Sequence, residues 1–151
     1  MFINRRQVTI EWGDCDPAGI VYYPQYFSMF NNSTVHLFQA ALGIKKREML
    51  LRYGILGIAV TDTRANFRIP SRFGDVVTIE SSITKFNRSS FDVTHQLLRD
   101  DGALAIKATE TRVWVVADPH DYDRIKAQAI PADVIEALST PNPHILKVAE
   151  S

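Results

Sequence analysis

Residues 13–23, GDCDPAGIVYY, separate a strand pattern from a helix pattern. Before them, apolar and polar side chains alternate, which predicts a half-buried strand over residues 2–12. After them, a helix is expected from Pro24, because the first helical position tolerates the missing N–H of proline. Apolar residues at helical spacing continue to Gly43, a typical helix C-cap. The segment therefore predicts a strand, a tight turn and then a long helix.

The remainder of the chain has mainly the pattern of strands joined by tight turns. Four segments are rich in Val, Ile, Thr and Phe, namely residues 55–69, 75–86, 89–98 and 103–117. Short helices are expected at Lys45–Tyr53 and Pro131–Leu138. These elements make an α+β fold, in which the long helix must cover one face of an antiparallel sheet. We expect one domain over residues 1–138 and a fraying tail over residues 139–151.

Composition limits the classes of partner. Seventeen basic residues balance seventeen acidic ones among 151, which argues against a general nucleic-acid binder. No apolar run approaches the roughly 18 residues that span a bilayer, and none follows the N-terminal arginines as in a secretory signal. A single cysteine permits no internal disulfide, so we expect a cytoplasmic protein with no membrane partner. A sheet around one helix leaves an edge and a face exposed, which predicts a homo-oligomer.

Two interpretations of the opening segment are weak. Asp14, Asp16 and Gly19 match three positions of a calcium loop, but the remaining ligand positions carry the wrong residues, so no metal is expected. Cys15 could be a nucleophile only as a thiolate, and no histidine lies close to it in sequence. We expect it to be a small, partly buried apolar residue.

A carboxylate prepared for chemistry explains more of the segment. Asp16 precedes a proline, which favours an extended conformation in which Asp14 and Asp16 share a face. Gly19 permits a tight bend and close approach of a ligand. The helix that follows begins with unpaired N–H groups, which favour an oxyanion. The alternative is a turn in which Asp16 only caps backbone amides, and the residues alone favour it.

The longer run at residues 11–26, EWGDCDPAGIVYYPQY, closely resembles the signature of the 4-hydroxybenzoyl-CoA thioesterase family of hot-dog-fold proteins. The similarity continues through residues 67–80, the turn at 88–91 and IPADVIEAL at 130–138. The resemblance implies a hot-dog fold, a five-stranded antiparallel sheet wrapped around one long helix. It also implies dimers, or tetramers built from dimers, with active sites at the subunit interface.

The resemblance also implies roles for individual residues. Asp16 matches the catalytic carboxylate, and the backbone N–H of Tyr23 matches the group that polarises the thioester carbonyl. Asn31 lies at the acyl end, where the 4-hydroxybenzoyl-specific enzymes have an acidic residue. Basic and hydroxyl residues are expected to bind the CoA phosphates, namely Arg88, Ser89 and Ser90, with Arg124 and Lys126 as further candidates.

These features predict hydrolysis of an acyl-CoA thioester to free acid and CoA. The resemblance and the aromatic-rich helix start favour an aromatic acyl group, such as 4-hydroxybenzoyl. Asp16 would attack the carbonyl or act as a general base on water. No cofactor is expected, because CoA enters as part of the substrate. The alternatives are a short- or medium-chain acyl-CoA thioesterase of the related bacterial type and a non-catalytic acyl-CoA-binding hot-dog protein.

Overall fold

The structure is a computed structural model that describes residues 1–142. In chain order, its strands and α-helices are β1 (Asn4–Thr9), α1 (Tyr23–Leu42), α2 (Lys46–Tyr53), β2 (Gly57–Phe67), β3 (Val76–Phe86), β4 (Ser90–Leu98), β5 (Leu104–Asp118), β6 (Asp121–Ala127) and α3 (Ala132–Ser139). A single 3₁₀ turn at Trp12–Asp14 joins β1 to the segment before α1. The predicted strands and helices are therefore present, within a few residues of their expected ends.

One antiparallel sheet contains all the strands. Five of them lie in the order β1-β3-β4-β5-β2, and the sixth, β6, pairs with the end of β5. The sequence pattern did not indicate β6, because all seven of its residues are exposed and it therefore lacks buried alternation. The α+β prediction is confirmed, with this short strand as an addition.

Helix α1 covers the inner face of the sheet. It buries Tyr26, Phe30, Leu37 and Phe38 against alternate residues of the strands. Burying a large apolar side chain stabilises the fold by about 1.5–3 kcal/mol, so this helix–sheet contact holds the domain together. The helix ends at Gly43, whose φ of 70° lies in the left-handed region and whose N–H donates to Gln39 O.

Strand β2 forms one edge of the sheet. It is 11 residues long and pairs only with β5 among the described strands. Residues 60–64 on it are exposed. A long edge with free backbone groups is a natural place for another chain to pair. None of the helices within residues 1–142 is long and apolar enough to cross a membrane.

The start of the predicted tail is tied to the domain. Thr140 donates its N–H and its hydroxyl to Glu136 O, and Asn142 Nδ2 donates to Ile3 O at 3.0 Å. The prediction of fraying for residues 143–151 lies outside the described residues.

Candidate active site

The segment before α1 folds back on itself as a small antiparallel loop. Tyr22 N–H donates to Asp14 O, Asp16 N–H donates to Ile20 O, and Cys15 and Val21 form a β-bridge between these bonds. Asp14 ends the 3₁₀ turn, so the expectation that residues 14–16 form one extended stretch is wrong at its first residue. The Asp14 carboxylate is used within this turn, where it accepts a hydrogen bond from Glu11 N–H at 2.9 Å.

Asp16 is half-buried in the bend of this loop, and its two carboxylate oxygens differ. Oδ1 accepts a hydrogen bond from Ala18 N–H at 2.9 Å. Oδ2 has no hydrogen-bond partner within residues 1–142. Gly19 closes the bend with a φ of 78°, a left-handed conformation that favours glycine. The Ala18 bond thus fixes the orientation of the carboxylate and leaves one oxygen available.

The first turn of α1 offers one backbone donor beside this loop. Gln25 N–H donates to Tyr22 O, and Pro24 has no N–H. Tyr23 N–H is therefore the remaining donor of the first three helical residues, and it has no acceptor within the described part of the chain. Because Asp16 pairs with Ile20 in the loop, its Cα lies about 7–8 Å from that of Tyr22, the diagonal spacing of an antiparallel pair. The Asp16 carboxylate and the unpaired Tyr23 N–H group therefore belong to the same short loop and the helix start that follows it.

Cys15 is poorly suited to nucleophilic attack. Its thiol donates to Glu11 O at 3.5 Å. Its partial burial, followed by the negative charges of Asp14, Asp16 and Asp75, raises the pKa of the thiol above its ordinary value. A raised pKa keeps the thiol protonated at neutral pH, which agrees with the expectation that Cys15 is a small, partly buried apolar residue.

Exposed aromatic side chains surround the start of α1. Phe67, at the end of β2, packs against Tyr23, Tyr26 and Phe27 at centroid distances of 5.7–6.5 Å. A cleft of about 190 Å³ lies between Tyr23 and the residues that follow Phe67. Ligand pockets usually enclose about 300–1,000 Å³, so this chain alone provides only part of a pocket for an acyl-CoA.

The predicted phosphate-binding residues lie together in a second region. Arg88 is exposed in the turn between β3 and β4, and its guanidinium has no partner within residues 1–142. Ile130 N–H donates to Arg88 O and Trp114 N–H donates to Ser89 O. The chain reaches Ile130 directly from β6, which carries the exposed Arg124 and Lys126 and is therefore adjacent to the turn. Ser90 Oγ accepts from Asn87 Nδ2 within the turn.

The two regions lie beyond opposite ends of strand β3. The loop around Asp16 contacts the residues immediately before β3, through Val21 N–H to Ser71 O and Phe73 N–H to Gly19 O. The Arg88 turn comes immediately after β3. This strand of 11 residues separates them by about 35 Å. Asp16 and Arg88 of one chain therefore do not face the same cavity.

Asn31 lies on the exposed side of α1, about two helical turns beyond Tyr23. Its Oδ1 accepts a hydrogen bond from Arg112 Nη2 at 2.7 Å. Arg112 is only 4% exposed and also donates Nε to Glu110 Oε2 at 2.8 Å and Nη1 to Ile58 O at 2.9 Å. The predicted acyl-end residue is therefore connected to a buried polar network.

This network was missed in the sequence. His95 is fully buried, donates Nε2 to Glu110 Oε1, and contacts Ser81 Oγ through Nδ1 at 2.6 Å. Thr34 of α1 donates its hydroxyl to the same Glu110 oxygen at 2.9 Å. Burial alone would raise the pKa of Glu110, but the hydrogen bond and charge of His95, and then Arg112 and Thr34, outweigh it and hold that pKa below its ordinary value. Glu110 is thus a buried carboxylate anion that joins the helix to the sheet.

Comparison with known proteins identifies the family. The family model of the thioesterase-like superfamily matches residues 10–138 of this chain. The 4-hydroxybenzoyl-CoA thioesterase of Pseudomonas sp. (strain CBS-3) is 34% identical over 137 residues, which cover 88% of this chain and 95% of that protein.

Solved structures agree with this assignment. An aspartate-to-asparagine variant of 4-hydroxybenzoyl-CoA thioesterase, complexed with 4-hydroxybenzoyl-CoA, superposes with a TM-score of 0.82 at 34% identity, covering 91% of this chain and 99% of that one. A gentisyl-coenzyme A thioesterase superposes with a TM-score of 0.75 at 28% identity, covering 91% of this chain and all of that one. These matches confirm the hot-dog fold. The chain belongs to the thioesterase-like superfamily.

Proposed function

We propose that the protein hydrolyses an aromatic acyl-CoA thioester to the free acid and CoA, with Asp16 as the catalytic carboxylate and Tyr23 N–H as the oxyanion donor. The observation that carries the proposal is that one loop and the helix start after it provide both a carboxylate with a free oxygen, Asp16, and an unpaired N–H group, that of Tyr23. Both groups belong to a chain whose relatives include a 4-hydroxybenzoyl-CoA thioesterase.

The chemistry follows from these two groups. Tyr23 N–H and the helix start stabilise the negative charge that develops on the thioester oxygen, a contribution worth about 3–4 kcal/mol per donor in other enzymes. Asp16 Oδ2 attacks the carbonyl carbon, a C–O bond forms, and the C–S bond breaks to release CoA thiolate. Water then hydrolyses the mixed anhydride. On the alternative route, Asp16 removes a proton from the water that attacks the carbonyl directly.

A second copy of the chain completes the site in this proposal. Asp16 and Arg88 lie about 35 Å apart along β3, and the cleft beside Tyr23 is too small for an acyl-CoA. Two chains that pair through their β2 edges would bring the Arg88 turn of one chain toward the Asp16 loop of the other. The exposed edge of β2 and the exposed aromatic side chains beside it support a homo-oligomer.

An aromatic acyl group suits the surface beside Tyr23. Tyr22 and Tyr23 stack on each other, and Phe67 adds a third exposed ring. Aromatic pairs contribute about 0.5–1.5 kcal/mol beyond area burial, so these rings can bind a flat acyl group. Relatives named for 4-hydroxybenzoyl-CoA and gentisyl-CoA support the same class of substrate.

A thiol-release assay tests the proposal. The esters to compare are benzoyl-, 4-hydroxybenzoyl-, phenylacetyl- and short aliphatic acyl-CoA. We expect kcat/KM for the best aromatic ester to exceed that for the aliphatic esters by roughly tenfold or more, because the pocket discriminates by apolar contact. Turnover of aliphatic esters alone would replace the aromatic substrate with a short or medium acyl chain. Binding of acyl-CoA without turnover would indicate a binding protein instead.

A further inference from the structure

Hydrogen-bond chemistry determines which atom of the Asn31 side-chain amide faces Arg112. A guanidinium group has only donors, so the Asn31 atom that faces Arg112 Nη2 must be the oxygen. The amide nitrogen, Nδ2, then points elsewhere with two N–H donors. Nδ2 has no hydrogen-bond partner within residues 1–142, and Asn31 is exposed. Asn31 therefore offers hydrogen-bond donors to whatever occupies this surface.

Arg112 cannot easily release Asn31, because the network holds the guanidinium on its other sides. Its Nε and Nη2 donate to Glu110 Oε2, and its Nη1 donates to Ile58 O. Glu110 is itself held by His95 and Thr34 through its other oxygen. A flipped Asn31 amide would place N–H against N–H and leave a nearly buried donor unpaired, which is costly.

The donors of Asn31 end a stripe along α1 that starts at the proposed oxyanion donor. Tyr23, Phe27 and Asn31 follow one another at four-residue spacing on one side of the helix. Their backbones span about 12 Å along the axis, and helical side chains lean back toward the N-terminus. Phe67 packs on the two aromatic members of the stripe. The stripe is apolar at its start and carries a polar donor at its far end.

We propose that Arg112 is a positioning residue that orients Asn31, so that the site prefers aromatic acyl groups with a hydrogen-bond acceptor on the side of the ring opposite the thioester. This inference rests on the proposed function and specifies the substrate class of the same site. A carboxylate at position 31 would leave an oxygen facing outward and would reverse the preference toward acyl groups that donate.

Two matched esters make the preference measurable. The 4-methoxybenzoyl-CoA ester carries only an acceptor, whereas the amino group of 4-aminobenzoyl-CoA chiefly donates. The quantity to measure is the ratio of kcat/KM for the methoxy ester to that for the amino ester. The intrinsic reactivities of the two esters cancel when this ratio is compared between wild type and variant.

Asn31→Asp is the decisive variant, and Asn32→Asp is its matched control. The control adds the same charge at the next, exposed position, which has no role in the site. We expect Asn31→Asp to lower the methoxy-to-amino ratio roughly tenfold or more, because a hydrogen bond is gained with one ester and lost with the other. Asn32→Asp should leave the ratio within about twofold of the wild-type value, since it changes no hydrogen bond to the ester.

Arg112→Lys tests the positioning role. Lysine keeps the charge beside Glu110 but lacks the planar fork that reaches Glu110, Ile58 and Asn31 together. We expect Arg112→Lys to lower the methoxy-to-amino ratio several-fold. In an Asn31→Leu background, the same substitution should leave the ratio unchanged. If Arg112→Lys does not fold, the two Asn variants still decide the preference.

The outcomes separate this inference from the proposed function. Wild-type turnover of the aromatic esters, with an unchanged ratio in Asn31→Asp, would overturn the preference alone. A ratio that Arg112→Lys changes equally in the Asn31→Leu background would overturn the positioning role. Failure of the wild type to hydrolyse any aromatic ester would overturn the proposed function, and this inference with it.

Discussion

In the proposed function, Asp16 both caps a backbone amide and performs the chemistry. Its Oδ1 caps Ala18 N–H, as an aspartate in an ordinary turn does. The same bond holds the carboxylate in one orientation and leaves Oδ2 without a partner in the described residues. A capped carboxylate is therefore a better-oriented nucleophile or base than a free one, because less freedom is lost when the substrate binds.

The expected contact of Arg88 with a CoA phosphate makes a kinetic prediction. Arg88→Ala should raise KM for the acyl-CoA by several-fold to about a hundredfold and leave kcat nearly unchanged, because a phosphate contact held throughout the reaction is uniform binding. The effect should shrink for an acyl-pantetheine, which has no nucleotide phosphates. Steady-state kinetics on both substrates checks this.

Arg52→Ala is the matched control for Arg88→Ala. Arg52 is an exposed arginine on α2 that pairs with Glu48 and lies outside the proposed site. Its removal should leave KM unchanged for both substrates. If Arg88→Ala also leaves both KM values unchanged, Arg88 is a solvated charge, and Arg124 and Lys126 become the candidates for phosphate binding.

Among the strands, β5 carries a sequence signal for the buried polar network. Alternation in β5 places Ala108, Glu110, Arg112 and Trp114 on one face, and all four are buried. Two charged residues in phase with a buried tryptophan are a signal for an internal ion pair. The partner His95, in contrast, lies opposite Ala108 and diagonal to Glu110, so it could be placed beside Glu110 only once the strand register was known.

An element could be predicted from the sequence when it buries one of its faces. Strands β1 to β5 and the three helices could be predicted, because burial imposes a period of two or 3.6 on their sequences. Strand β6 could not, since DYDRIKA is exposed at every residue. The bend at residues 12–14 was also missed, because a 3₁₀ turn depends on local hydrogen bonds such as that from Glu11 N–H to Asp14.

The buried network makes stability depend on pH. The folded-state pKa of Glu110 lies below its ordinary value of 4.5, so its ionised form stabilises the fold at neutral pH. That contribution is complete above the ordinary pKa and is lost as the pH falls below it toward the folded-state pKa. Glu110→Gln should lower the free energy of unfolding at pH 7 by about 3–5 kcal/mol, because Arg112 is left buried without its counter-ion.

Urea denaturation at pH 7 and near pH 3 checks this prediction. The difference between wild type and Glu110→Gln should be smaller at the lower pH, because below the ordinary pKa of 4.5 the unfolded wild-type chain binds a proton at this carboxylate and the ionised folded form loses part of its advantage. Glu48→Gln, which breaks the exposed pair with Arg52, is the control and should cost less than about 1 kcal/mol at pH 7. An equal effect of the two variants would mean that Glu110 contributes no more than a surface charge.

In the whole molecule, β3 separates Asp16 from Arg88, and enzyme kinetics can test whether the two residues serve one site. Asp16 and Arg88 lie beyond opposite ends of this strand, so one active site would need each residue from a different chain. A mixed dimer of an Asp16→Asn chain with an Arg88→Ala chain would then contain one intact site and one doubly altered site.

We therefore predict that the two variants complement each other. After the purified variants are mixed under conditions that exchange subunits, kcat/KM at low substrate should rise toward half of the wild-type value per mixed dimer. The separate variants provide the baseline. If the mixture gives only the average of the two baselines although subunits have exchanged, the two residues do not serve a shared site.

The proposed function requires the Asp16 carboxylate to perform the chemistry on an acyl-CoA thioester, so the kcat of Asp16→Asn with the best ester is the measurement to make. The substitution keeps the size of the side chain and can retain the bond from Ala18 N–H, but it removes both the nucleophile and the base. Cys15→Ser, one residue away, is the control and should remain active. We predict that kcat falls by roughly two to four decades with little change in KM. Near-normal turnover by a folded Asp16→Asn protein would contradict the account.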